Sequence, residues 1–322
     1  MAATGTRYTS RYAWLNGSLL DWDAAQVHSS AHGLHYGTGV FEGTRSYLTD
    51  KGVALFRIED HMKRLFRSAA AYAMDVPFSE EELAEATRQV VRSNGLTNSY
   101  IRHLSFFDQG ELGIRSTCTV SVVILAWAWT GHHGKEGLLN GIRATISPWR
   151  KIGTDMLPTT AKAAGQYLNS RLAVSEAASR GFAEAILLNP QGNVAEASVA
   201  NVFFVRDGVL TTNDANASIL MGITRDSAIQ IAESLGVPVR IRDFGPDELS
   251  DADEVFITGT ASEIVPIREI DEIVIGHGKH AGRGAITAQI QEEFFAATSG
   301  RSSRFSEWLS YIDLKEPVVS SI

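Results

Sequence analysis

Cysteine is almost missing from this chain: Cys118 is the only one in 322 residues. A lone cysteine cannot close an internal disulfide and excludes CxxC redox and metal sites, so a reducing, cytoplasmic setting is expected. Proline is scarce, at 8 residues, and no stretch approaches the roughly 18 uncharged apolar residues that a membrane-spanning helix needs. The opening MAATGTRYTSRYAWLNG lacks the apolar centre of a secretion signal. Positive charge is also in deficit: 29 Lys+Arg against 37 Asp+Glu give a net charge of −8. That sign opposes a nucleic-acid backbone or an anionic membrane as partner and favours small molecules. The remaining composition, 44% hydrophobic and 20% charged, is that of a globular protein long enough for about two domains.

Local patterns alternate between strand and helix. Asn16-Gly17 predicts a hairpin within residues 12–20, because this dipeptide tolerates the positive φ values of a tight turn. Met62, Leu65, Phe66, Ala69 and Tyr72 predict an amphipathic helix over 58–73, with Asp60, Lys63, Arg64 and Arg67 on its polar side. Ser79 followed by Glu82 is a capping box that opens a second helix, ended by Gly95. In the strand 99–107, side-chain alternation puts Tyr100, Arg102, Leu104 and Phe106 on one face, so an arginine interrupts an apolar surface. The polar segment 129–140 (WTGHHGKEGLLN) reads as an interdomain loop between a small domain over 1–128 and a larger one over 141–322. In the second part, Leu168, Leu172, Ser175 and Ala178 mark a helix over 164–180. Hairpins are predicted over 185–198 and 202–212, a helix over 224–235, and a short strand over 254–258.

Only seven lysines are present, and six of them (Lys51, Lys63, Lys135, Lys151, Lys279 and Lys315) sit in settings that read as solvated. Lys162 differs, because Thr160-Ala161-Lys162-Ala163-Ala164-Gly165 surrounds it with small uncharged residues just before a helix. Desolvation there favours the neutral amine that Schiff-base chemistry requires. Glu196 is the single charge in Val194-Ala195-Glu196-Ala197-Ser198-Val199-Ala200. A carboxylate so placed suits a cation such as a protonated pyridine nitrogen, although, taken alone, the exposed side of a strand explains it better. Gly222-Ile223-Thr224-Arg225-Asp226 opens a helix whose free N–H groups suit a phosphate or merely water. Arg64 could neutralise such a phosphate or belong to a solvated face.

Other patterns carry less. His28, His32 and His35 are spaced like zinc ligands, but Gly33 and Gly37 interrupt any helix and no carboxylate or cysteine completes the set. Gly37, Gly39 and Gly43 do not follow a strand and open a helix as a dinucleotide loop does. The run 276–284 (GHGKHAGRG) reads as a loop, and no GxSxG elbow supports a hydrolase.

Seven segments in order, HGLHYGTGVFEG (32–43), HMKRL (61–65), YIRHL (100–104), AKAAGQYLNS (161–170), NVAEASVANVF (193–203), GITRD (222–226) and FITGTASEIVP (256–266), resemble one family. They are similar to the branched-chain amino-acid aminotransferases of the pyridoxal-phosphate fold type IV group. The resemblance covers about residues 12–295 and implies an α/β (α+β) protein of two domains, a small N-terminal one and a larger C-terminal pseudo-barrel, with a cleft between them. It implies pyridoxal 5'-phosphate as cofactor, with Lys162 as Schiff-base lysine, Glu196 at the pyridine nitrogen and Tyr167 at the phenolic oxygen. Arg64, Ile223, Thr224 and Thr260 match phosphate-binding positions. For substrate, the resemblance implies Tyr100 with the backbone of Thr260 and Ala261 at the α-carboxylate, and Tyr36, Phe41, Gly43 and Trp129 around the side chain. It assigns Arg102 to the distal carboxylate of glutamate. Leu112, Gly113 and Ile114 match a loop that reaches a neighbouring subunit, so a homodimer or a multiple of it is implied.

The activity implied is transamination of leucine, isoleucine or valine with 2-oxoglutarate, giving branched-chain 2-oxo acids and L-glutamate. His132-His133 stands where bacterial relatives commonly have an aromatic residue, and the loop between Ile114 and Thr119 is short, so the preferred amino acid stays open. The nearest alternative keeps the fold and cofactor but acts on D-amino acids or (R)-amines. A lyase acting on aminodeoxychorismate would not need the Tyr100-Ile101-Arg102 strand. A non-catalytic binding protein would have no physical need for Lys162, Glu196 and Arg64 together.

Overall fold

Asn16 and Gly17 adopt φ values of 48° and 94°, the backbone twist of a two-residue hairpin turn. They fold β1 (Tyr12–Leu15) back onto β2 (Ser18–Asp21). The computed structural model describes residues 10–131, 133–276 and 282–313. The chain divides into two compact units, Met1–Thr130 together with Thr298–Ile322, and Gly131–Ala297.

In the first unit, a short helix α1 (His32–Tyr36) ends at Gly37, whose φ of 68° closes the turn. Then follow β3 (Gly39–Thr49), β4 (Gly52–Phe56), α2 (Ile58–Ala70), α3 (Glu80–Ser93), β5 (Ser99–Gly110) and β6 (Cys118–Ala128). The capping box forms: Ser79 Oγ accepts from Glu82 N and the Glu82 carboxylate accepts from Ser79 N. All pairs in this seven-stranded sheet are antiparallel. One edge is supplied by β16 (Leu309–Ile312), which pairs with β4. The expected second domain over 141–322 therefore gives up its C-terminal stretch, because Trp308 and Leu309 find their burial against this sheet, Trp308 edge-on to Phe56. The helix expected over 58–73 stops at Ala70, and Ala73 turns to a φ of 50°.

The second unit begins with α4 (Gly134–Asn140), so the polar segment 129–140 is partly helical rather than a plain linker. Next come β7 (Ile142–Ile146), α5 (Tyr167–Ser179), β8 (Glu184–Leu188), β9 (Val194–Ala197), β10 (Asn201–Arg206) and β11 (Val209–Thr212). The chain continues with α6 (Ile223–Ser234), β12 (Val239–Ile241), α7 (Pro246–Ser250), β13 (Glu254–Gly259), β14 (Glu263–Ile270), β15 (Ile273–Val274) and α8 (Ala285–Thr298). The sheet order is β12-β11-β10-β13-β14-β7-β8-β9 with β15 beside β14. Pairs β11/β12, β14/β7 and β7/β8 are parallel, and the others antiparallel. One face of this mixed sheet is a continuous core of Ile186, Val202, Phe204, Val255, Ile257, Val265 and Ile267, each at most 1% exposed. The expected helix over 164–180 forms as α5, but Leu168 and Leu172 point outward at 70% and 46% exposure. Ala173 and Ala177 pack instead on Ala185 and Leu187, since small residues allow close approach of helix and strand. The loop 276–284 lies largely outside the described residues. Among the described residues no helix is long and apolar enough to cross a membrane.

Candidate active site

Lys162 lies in the bend that leads into α5, where Ala161 N donates to Pro158 O and Ala163 N to Ala161 O. Its neighbours Ala161 and Ala163 are both 4% exposed, and Lys162 itself is half-buried. Tyr167, the first residue of α5, sits just over one turn on, and Lys162 Nζ donates to its hydroxyl at 2.6 Å. An amine held by a phenol at this distance is positioned for nucleophilic and proton-transfer chemistry.

Glu196 is on β9, within the same unit, and its carboxylate is buried. Oε1 meets Lys151 Nζ at 2.6 Å. Oε2 accepts from Leu220 N at 3.0 Å and from Asn201 Nδ2 at 3.2 Å. Lys151 is thus not the solvated lysine expected from sequence. Its backbone N–H donates to Leu188 O at 2.8 Å, which runs this segment along β8 and points its side chain at the next strand. Burial pulls the Lys151 ammonium down, but the Glu196 carboxylate outweighs that and holds it above the usual lysine range. A buried, charged, ion-paired amine is a poor nucleophile, so of these two lysines Lys162 is the reactive candidate.

Asn201 links Glu196 to the next element, because its Nδ2 also donates to Leu220 O at 2.8 Å. Two residues later Gly222 starts α6 without a side-chain cap, and Thr224 is buried in its first turn. A Cβ on Gly222 would stand 2.1 Å from Asn201 Oδ1, so glycine is needed for this approach. Asn201 also pairs in register with Thr258 on β13, whose end at Gly259 carries the chain into half-buried Thr260 and Ala261. These contacts connect Glu196, the α6 N-terminus and β13 as one framework.

In the first unit, Phe41, Gly43, Tyr100 and Arg102 meet across the β3/β5 pairing, with Gly43 opposite Arg102. The Arg102 guanidinium lies 4.6 Å from the Phe41 ring centre and 5.4 Å from that of Tyr100. Its Nη2 donates to the Tyr100 hydroxyl at 3.2 Å, while its Nε is buried without a hydrogen-bond partner. Tyr100 also packs on Trp127 and Trp129, at 5.3 and 5.8 Å between ring centres. An arginine walled by aromatic faces offers apolar contact and a bidentate anion donor together. Tyr36 is 44% exposed and packs on His32 at 4.5 Å. His32 is fixed by Thr38 Oγ1 at 2.7 Å and Gly113 O at 3.2 Å, tying α1 to the loop that carries Ile114. Ile114 itself is 72% exposed.

Arg64 is not on a solvated face. Its Nε and Nη2 donate to the two oxygens of Glu42 at 2.6 and 2.9 Å, and His61 Nδ1 lies 2.9 Å from Oε2. Burial would raise the Glu42 carboxyl, but Arg64 and His61 outweigh it and hold it well below the usual carboxylate range. Glu42 escaped the sequence reading, although it shows the same signal as Glu196: one charge within an apolar strand, GVFEG.

A family model described as "Amino-transferase class IV" matches residues 39–270. The chain belongs to the class IV aminotransferases. This aminotransferase is 42% identical over 304 residues to the branched-chain-amino-acid aminotransferase of Escherichia coli strain K12, covering 94% of this chain and 97% of that protein. The crystal structure of the E. coli branched-chain amino acid aminotransferase superposes with a TM-score of 0.92 at 41% identity, covering 95% of this chain and 100% of that one. The branched-chain amino acid aminotransferase of Thermobaculum terrenum, in its PLP-bound holo form, superposes with a TM-score of 0.87 at 35% identity, covering 94% and 99%. The fold of this aminotransferase is therefore the fold type IV expected from its motifs.

Proposed function

We propose that this aminotransferase moves the α-amino group of L-leucine, L-isoleucine or L-valine to 2-oxoglutarate, giving the branched-chain 2-oxo acid and L-glutamate. Its cofactor is pyridoxal 5'-phosphate, as in the holo form of the similar Thermobaculum enzyme. The donor set fits that group: an amine with a phenol at 2.6 Å, a buried carboxylate with a directed framework, and an uncapped helix N-terminus for a phosphate. The observation that carries the reading is the Lys162–Tyr167 pair, which supplies the amine in a near-full-length relative of branched-chain enzymes.

Bound pyridoxal phosphate supplies a carbonyl for amine exchange and a protonated ring that takes up the electron pair left at the substrate Cα. The Lys162 amine would hold the cofactor at rest and, as free base, would take the proton from the substrate Cα and give it back as acid. Tyr167 orients that amine and hydrogen-bonds the phenolic oxygen. Glu196 keeps the proton on the pyridine nitrogen. Arg64, Ile223, Thr224 and Thr260 hold the phosphate, with the Glu42 ion pair fixing the Arg64 guanidinium. Tyr100 and the backbone of Thr260 and Ala261 take the α-carboxylate. Tyr36, Phe41, Gly43 and Trp129 line the side-chain pocket together with Ile114, and Arg102 receives the distal carboxylate of glutamate.

The enzyme works as a homodimer or a multiple of one, a reading supported by Leu112, Ile114, Leu168 and Leu172, which are 46–72% exposed in a single chain. A reducing, cytoplasmic setting suits its single cysteine. The test is the visible spectrum of the enzyme with pyridoxal phosphate before and after L-leucine, repeated with Lys162→Ala. The wild type converts the bound cofactor to its amine form and the variant does not. A band unresponsive to L-leucine but responsive to D-alanine or (R)-1-phenylethylamine would overturn the substrate assignment.

A further inference from the structure

Glu196 has three directional partners, and only one of them is charged. An ionised carboxylate offers about four acceptor sites. Lys151, Asn201 and Leu220 N use three of these, so the carboxylate presents one remaining direction to a further donor. Lys151 Nζ lies 2.6 Å from Oε1, and both side chains are more than nine-tenths buried, at 9% and 8% exposure. The lysine backbone is itself fixed to β8 through Leu188 O. A buried pair at this distance is weakly screened, so the ammonium acts strongly on the carboxylate and less on anything beyond it.

We infer that Lys151 is a positioning residue that keeps Glu196 ionised and thereby drives the proton shared between Glu196 and the cofactor's pyridine nitrogen onto the nitrogen. This rests on the proposed facing of Glu196 to that nitrogen. The pair holds one proton, either as carboxylate with pyridinium or as carboxylic acid with neutral pyridine. A cation next to the carboxylate stabilises the first arrangement through the nearer negative charge, more than it opposes the positive charge farther away. Asn201 and Leu220 N orient the carboxylate but bring no net charge.

The experiment loads wild-type enzyme, Glu196→Gln, Lys151→Met, Lys151→Gln and Lys151→Arg with pyridoxal phosphate labelled with 15N in the ring, and records the ring-nitrogen resonance. In Lys151→Met and Lys151→Gln the resonance moves toward the unprotonated ring, and kcat with L-leucine falls about tenfold, the effect of one unit in proton partition. KM for L-leucine stays within about twofold. Lys151→Arg restores both, because it returns the charge. If Glu196→Gln leaves the resonance at its wild-type value, the facing of Glu196 to the nitrogen is wrong and the inference falls with it. If Glu196→Gln shifts the resonance while neither neutral Lys151 variant does, the role of Lys151 alone is overturned. Loss of folded, cofactor-binding protein in both neutral variants, with recovery in Lys151→Arg, assigns the lysine a structural role and also overturns it.

Discussion

Gly43→Ala probes the aromatic wall most sharply. A Cβ at Gly43 would stand 2.0 Å from the Tyr100 hydroxyl oxygen and 2.6 Å from its Cζ, far inside the roughly 3.4 Å of ordinary contact. Gly43 lies on a strand paired along its length with β5, so the backbone cannot retreat and the tyrosine ring must move. That movement breaks the 3.2 Å bond from Arg102 Nη2 and disturbs the packing on Trp127 and Trp129. Overpacking of this kind costs about 1–3 kcal/mol. If that cost falls on the bound states, kcat/KM for L-leucine and for 2-oxoglutarate drops about 5- to 150-fold, at 1.4 kcal/mol per factor of ten. Steady-state kinetics on both substrates, with a urea titration to record the stability change, gives the comparison. Tyr100→Phe, alone and combined with Gly43→Ala, then shows through non-additivity that the two positions share one contact. Wild-type kcat/KM within about twofold on both substrates, at unchanged stability, would refute the placement of Tyr100 over Gly43 as a determinant of the pocket.

Arg102→Leu removes the anion donor but keeps an apolar face, so 2-oxoglutarate loses far more kcat/KM than 4-methyl-2-oxopentanoate; equal losses in parallel assays would sink the assignment to the distal carboxylate. Burial pushes His103 down from 6.5 to about 3, with Glu42 opposing and His61 and Arg102 adding to the shift. The folded protein therefore keeps this imidazole neutral, while the unfolded chain binds a proton below pH 6.5, so stability falls as pH drops from 6.5 toward 3. For this one group the loss between pH 7 and pH 5 is about 2 kcal/mol. Urea denaturation at both pH values should show His103→Gln losing that much less than wild type, and identical pH losses would contradict the buried neutral imidazole. The Thr87 hydroxyl donates to Leu83 O, so His103 Nε2 donates to Thr87 Oγ1 at 2.7 Å in that neutral form.

Much of this was written in short stretches of sequence. The Asn16-Gly17 hairpin, the Ser79–Glu82 capping box, and the turns at Asp207-Gly208 and at residues 190–193 follow from backbone rules that act over a few residues. Lys162 stood out because its immediate neighbours are small and uncharged, and seven ordered motifs pointed to the aminotransferase family. Tertiary structure decided the partners. Lys151 reads as one more basic residue beside Arg150 until the alignment of its segment with β8 points it at Glu196. Arg64 reads as part of a charged helix face until β3 presents Glu42 and closes the ion pair. The face of α5 that is buried, Ala173 and Ala177 rather than Leu168 and Leu172, was set by how closely the helix approaches β8. The edge strand 309–312 returned to the first sheet because β4 offers it a free edge and apolar cover. Periodicity and turn chemistry are local properties of the chain. A buried charge answers whatever group the sheet register brings within about 3 Å, and that register is fixed only when strands distant in sequence pack together.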